Sequence, residues 1–238
     1  MHFRPLVFVL LALSGASLQA QTLVFTPNGT GLRQDYRYSL GLFFNLSQPL
    51  TIASVGYWDD NLDGLSSPLS VAIFDRSGTP AIVAGTQEDF SGTLGTLFGP
   101  VVANQDGTGR PGQFRLLNLP TPITLPAGQY ALVAWGFSYT NEILNGTNTG
   151  PTVDVNTFGG ILNFVEARYD TTPGVLPATL DQSFAQYASA TFSTTAISAV
   201  PEPANGALAA GLVVLLGCRV AQRRQRLARS SPVKCGLR

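Results

Sequence analysis

Apolar and polar residues alternate with a period of two along much of the chain. Tyr38, Leu40, Leu42, Phe44 and Leu46 interleave with Ser39, Gly41, Phe43 and Asn45. That spacing puts one apolar row on one face of a strand. Leu50 to Trp58 predicts a second strand through Ile52, Val55 and Tyr57. Leu69, Val71 and Ile73 share a face in a third, and Ala81 to Thr86 predicts its hairpin partner after Ser77-Gly78. Gln113 to Leu119 follows, then a short edge piece, Ile123 to Leu125, between two prolines. Gln129 to Phe137 is apolar on both faces, which predicts a central strand covered on two sides. Val153–Phe158, Ile161–Arg168 and Phe184–Phe192 complete the set. Turn pairs such as Asn28-Gly29, Asp63-Gly64, Asp106-Gly107 and Asn145-Gly146 separate them, and no window holds a long 3.6-residue period. The expected fold is all-β, an antiparallel two-sheet β-sandwich over 21–198. Its order is jelly-roll-like, with an immunoglobulin-like order as the alternative.

The two ends follow other patterns. Residues 1–20 read as a signal peptide: Arg4, an apolar run from Leu6 to Leu13, then small residues up to Ala20. A cut after Ala20 competes with one after Ala16. At the other end, 199–203 contains Pro201-Glu202-Pro203, which regular structure does not accommodate. Residues 204–220 are apolar until Arg219 and predict a transmembrane helix roughly 25 Å long. Residues 221–238 are basic, and with Arg219 they carry Arg223, Arg224, Arg226, Arg229, Lys234 and Arg238. Bases beside an apolar span stay on the cytoplasmic side, so the middle is expected outside.

The ordered trio of Pro201-Glu202-Pro203, apolar segment and arginine cluster resembles the PEP-CTERM sorting signal of Gram-negative bacteria. The resemblance implies transient anchoring in the inner membrane and an exosortase-type membrane protease as partner. It also implies delivery to the cell surface or extracellular matrix, often beside exopolysaccharide. A second resemblance rests on Gly56 to Leu65 (GYWDDNLDGL), Ser70 to Asp75 (SVAIFD) and Leu125 to Ala134 (LPAGQYALVA). These segments look like a group of exported β-sandwich proteins of unknown function, over about 38–137.

Charge sharpens the picture. The chain has 238 residues with 14 Lys+Arg and 14 Asp+Glu, but the signs are segregated. Residues 21–200 hold six arginines, no lysine and thirteen acids, a net of −7. Nucleic acid is therefore not an expected partner. The only His is His2 and the only Cys are Cys218 and Cys235. A His-based triad, a thiol nucleophile and a Cys/His zinc site are excluded from the middle, and no Gly-x-Ser-x-Gly occurs. A non-enzymatic protein is the expectation. Glu142, Asp154, Glu166 and Asp170 are the carboxylates that a glycan-modifying enzyme could pair.

One constellation has ligand-like spacing. Asp59, Asn61 and Asp63 take the first, third and fifth places of an EF-hand-type loop, with Gly64 at the sixth. Ser70 stands where that loop needs a bidentate Glu. A structural Ca²⁺ here needs Asp60, the Leu65 carbonyl, Asp75 or water to complete its shell. The competing reading is an Asx-rich turn whose side chains bond their own backbone. For a matrix glycan, Trp58 and Tyr57 beside the acidic turn are the expected contacts, while Trp135 is expected in the core.

Overall fold

The computed structural model describes residues 23–28, 34–35, 37–103, 109–142, 144–146 and 150–197. The signal peptide, the Pro-Glu-Pro motif, the transmembrane helix and the basic tail expected from the sequence lie outside the described residues. The described part is all-β. Its strands are β1 (Phe25–Pro27), β2 (Gln34–Asp35), β3 (Ser39–Leu46), β4 (Leu50–Asp59), β5 (Leu65–Asp75), β6 (Ala81–Ile82), β7 (Glu88–Gly92), β8 (Thr96–Ala103), β9 (Pro111–Leu125), β10 (Gly128–Trp135), β11 (Leu144–Gly146), β12 (Val153–Val155), β13 (Leu162–Asp170), β14 (Thr179–Gln182) and β15 (Ala190–Ser193). Among the described residues no helix is long and apolar enough to cross a membrane.

Every strand pairing is antiparallel. One sheet runs β14-β13-β3-β10-β5-β6, with β7 also paired to β5. A second runs β15-β4-β9-β8, and β1-β12 and β2-β11 form two small ribbons. The alternation read at 38–46 has its expected consequence. Leu40, Leu42, Phe44 and Leu46 join Val71 and Ile73 of β5, Leu132 of β10, and Phe114, Leu116 and Phe192 of the other sheet in one buried cluster. This shared core makes the arrangement sandwich-like. β10 is covered on both faces. Tyr130, Leu132 and Ala134 enter the main core, whereas Ala131 and Val133 enter a smaller one with Phe43, Ala72 and Phe74. Trp135 is half-buried against that smaller cluster.

Several boundaries differ from expectation. Ile123–Leu125 is no separate edge piece but the end of β9, kept on β4 by a register shift between Ile52 and Ser54. The hairpin partner expected over Ala81–Thr86 stops at Ile82. Thr86 continues the ladder with its side chain: Oγ1 accepts from the Ile73 N–H at 3.1 Å and donates to the Val83 carbonyl at 2.8 Å. The chain turns at Gly85 with φ 78°, which glycine adopts without strain. Of 184–192, only the last residues are strand, in β15. The sequence reading did not foresee β7 and β8, whose side chains are largely exposed and lack a continuous apolar row.

Candidate functional site

The site lies where β4 hands over to β5. β4 ends at Asp59, the turn occupies 60–64 and β5 starts at Leu65. Leu62 and Gly64 both take positive φ, 60° and 79°. A Cβ at Gly64 would lie 2.6 Å from the Gly92 carbonyl oxygen, so the turn presses against the end of β7.

Asp59 is fully buried. Its Oδ2 accepts from Nε of Arg115 on β9, in a buried ion pair. Its Oδ1 accepts from the Gly64 N–H at 3.3 Å. Arg115 also donates through Nη1 to the Thr93 carbonyl at 3.3 Å and through Nη2 to the Leu62 carbonyl at 3.5 Å. The guanidinium thus neutralises Asp59 and fastens the turn to β9 together.

A second turn meets the first from far along the chain. Ser138 and Asn141 exchange backbone hydrogen bonds at 3.2 Å, which closes a tight loop. The Asn141 side chain then ties that loop to the start of β5. Its Oδ1 accepts from the N–H groups of Ser66 (2.9 Å) and Ser67 (3.2 Å), and its Nδ2 donates to the carbonyls of Ser67 and Gly136. Ser66 Oγ donates to the Thr140 carbonyl at 2.7 Å. Glu142 follows with φ 52°, an unusual backbone for its type, and its carbonyl accepts from Nδ2 of Asn145 at 2.9 Å.

This scaffold delivers the Glu142 carboxylate to the acidic turn. Oε2 accepts from the Asp60 N–H at 2.5 Å, and one oxygen from each of Asp59, Asp63 and Glu142 lies within 4.8 Å of the others. Glu142 is buried. Burial pushes its carboxyl up to about 9; the Asp60, Asp59 and Asp63 charges push the same way, and the Asp60 N–H opposes them. The phenol of Tyr57 is also pushed up, by burial first and then by the charges of Asp59 and Glu142, with Arg115 opposing. Four carboxylates therefore share this corner with one guanidinium. A cavity of about 210 Å³ opens onto Asp63, Asn141 and Glu142, with Tyr139 at its rim.

Of the residues singled out from the sequence, Asp59 and Asp63 come together. Asn61 donates through Nδ2 to Asp60 Oδ1 at 2.6 Å, which is the Asx-type local bonding also expected of this turn. Asp75 is at the opposite end of β5, about 30 Å away along a strand of this length, where it accepts from the Ser77 N–H. It does not complete the shell. Glu166 pairs with Arg168 at 2.8 Å on a partly exposed strand face, and Asp170 accepts from the Thr172 N–H. The residue that sequence reading missed as a partner of the turn is Glu142. Its separation of 82 positions from Asp60 leaves no local spacing to read.

The exposure expected of Trp58 and Tyr57 is corrected: both are fully buried. Successive residues on β4 take opposite faces. The Tyr57 ring meets Phe90 edge-on at 4.9 Å, and Trp58 meets Phe114, its cross-strand neighbour, at 5.2 Å. β9 extends past Trp58 to Pro111, and Gly112 leaves the indole room. Neither ring offers a face to a glycan. The exposed aromatic at this corner is Tyr139, over which the Arg37 guanidinium lies at 4.1 Å.

Compared with known proteins, the chain matches no family model, no curated protein and no solved structure.

Proposed function

We propose that the chain is a non-enzymatic exported protein of the cell surface or extracellular matrix, sorted by a PEP-CTERM-type signal. The observation that carries this reading is the ordered trio at 199–226: Pro201-Glu202-Pro203, an apolar stretch, and Arg219, Arg223, Arg224 and Arg226. In this reading residues 204–220 hold the precursor in the inner membrane, and an exosortase-type protease removes them. A domain free of Cys and His, with a continuous aromatic and aliphatic core, suits an exported protein that needs no disulfide. Its chain also crosses between the two large sheets at β3–β4, β4–β5, β7–β8, β9–β10 and β14–β15. Those crossings favour the jelly-roll-like assignment over the immunoglobulin-like one. Cell fractionation with intact-mass analysis of the untagged native protein tests the proposal. A product outside the cytoplasm, lacking both ends, is expected; a cytoplasmic chain retaining Met1 and Arg238 overturns it.

One observation favours a second role, binding of exopolysaccharide. Tyr139, 56% exposed, borders a cavity lined by carboxylates and amides, groups that hydrogen-bond sugar hydroxyls. Polysaccharide pull-down with Tyr139→Ala as control decides it. Retention lost in that variant supports a glycan role, and no retention on any matrix glycan removes it.

A further inference from the structure

We infer that Asp63, Glu142 and one carboxylate oxygen of Asp59 bind a divalent cation of the Ca²⁺ class, which clamps the 60–64 turn to the 138–142 turn. This inference does not depend on the export reading.

The donor set is all oxygen, and hard oxygens select Ca²⁺ or Mg²⁺ over the transition metals. Two oxygens on one Ca²⁺ are at most about 5 Å apart, since each bond is roughly 2.3–2.6 Å. The trio already meets that limit at 4.8 Å. Glu142 supplies the acidic ligand that Ser70, at the twelfth place of the turn, does not. It comes from a different part of the chain, so the metal would cross-link two segments rather than only order one loop.

A second observation, separate from the carboxylates, points to an occupant. The Tyr57 hydroxyl is fully buried and has no hydrogen-bond partner among the described residues. Tyr57 and Asp59 are two apart on β4 and so share a face, and Arg115, directly across from Tyr57 on β9, shares it too. The hydroxyl is thus on the side of the strand where Asp59 meets Arg115. A buried hydroxyl is seldom left unpaired. Water on a bound cation would donate a hydrogen bond to its oxygen, as Ca²⁺ shells commonly include water. The adjoining cavity has room for the ion and further waters, with Asp63 exposed at its mouth as an entry point.

Calcium is preferred to magnesium because the ligands come from two separate turns. Such a frame tolerates irregular geometry, whereas Mg²⁺ demands a near-ideal octahedron.

The test uses the purified native protein after chelator treatment. Ca²⁺ is expected to raise the melting temperature saturably, with one ion bound per chain by calorimetry, and Mg²⁺ to do so only weakly. Tb³⁺, a calcium surrogate, should luminesce on tyrosine excitation because Tyr139 lines the cavity and Tyr57 shares the face of Asp59, and Ca²⁺ should quench that signal by displacement. Glu142→Gln and Asp63→Asn should abolish the melting shift and the Tb³⁺ signal. Gln has the shape of the Glu side chain and brings no charge into the buried corner, so Glu142→Gln is expected to fold. Glu88→Gln, a carboxylate on β7, should retain both responses. The inference is overturned if Ca²⁺ leaves the wild-type melting temperature unchanged, if Mg²⁺ matches Ca²⁺, or if Glu142→Gln responds like wild type.

Discussion

The backbone N–H of Asp60 donates to Oε2 of Glu142 at 2.5 Å, joining two turns 82 residues apart. The bond orients the Glu142 side chain onto the acidic turn and leaves its second oxygen to other partners. It does not balance the charge assembled there. Asp59 has its counter-ion in Arg115, but Glu142 faces carboxylates.

The metal-free domain should therefore lose stability as pH rises. The Glu142 carboxyl lies near 4.5 when unperturbed and is pushed up to about 9 in the fold. Between those values the folded chain holds a proton that the unfolded chain releases. Stability is then fully present below about 4.5 and declines as pH climbs toward 9. Urea midpoints of chelator-treated protein across this window should fall, and Glu142→Gln should flatten that part of the profile. An equal decline in Glu142→Gln would assign the effect to other groups.

Breaking the buried pair should be costly in one direction. Arg115→Met leaves the Asp59 carboxyl enclosed without its partner, a loss of about 3–5 kcal/mol. Adding Asp59→Asn removes the stranded carboxyl and should recover part of that loss. Denaturant unfolding of the two single variants and the double variant gives the coupling. If the losses simply add, the ion pair has no special role in holding the turn.

Asn141 joins the two turns through neutral bonds. Asn141→Ala would strand the Ser66 and Ser67 N–H groups, which its Oδ1 now accepts from. Both serines are exposed, so water replaces the lost acceptor in part and the cost should be at the low end of the range for an unmade bond, about 1 kcal/mol. The site region should also loosen selectively. Hydrogen exchange is expected to quicken at the start of β5 and at 138–142, with β3 and β10 unchanged. Uniform quickening across the sheet would instead mean a global effect.

Most of the sheet framework was legible because alternation at β3 and the two-faced apolar run at β10 directly encode which side is covered. β7 and β8 were not legible, since strands with exposed side chains carry no such row. The turn announced itself through Asp59, Asn61, Asp63 and Gly64, yet half of the site did not. Glu142 reaches it through a loop whose position is set by Asn141 bonding to Ser66 and Ser67, a tertiary relation with no sequence period. Trp58 misled for a related reason. An indole next to an acidic turn suggests a surface ring, and what buries it is β9 passing through Gly112.

That relation gives a pairwise test of the core. A Cβ at Gly112 would lie 2.4 Å from Cζ2 of Trp58, closer than atoms can approach without one of them moving. The indole is fully buried with Phe114 on one side, so it has little space to yield. Gly112→Ala alone should destabilise by about 1–3 kcal/mol through overpacking. Trp58→Ala alone should cost about 3–5 kcal/mol, as expected of a core aromatic rather than a surface contact. In the double variant the new methyl enters space the indole has vacated, so the second change should be nearly neutral. The two losses should then fall well short of additive. Full additivity would mean that the ring and Gly112 are not in contact in solution, and a Trp58→Ala variant as stable as wild type would return the indole to the surface.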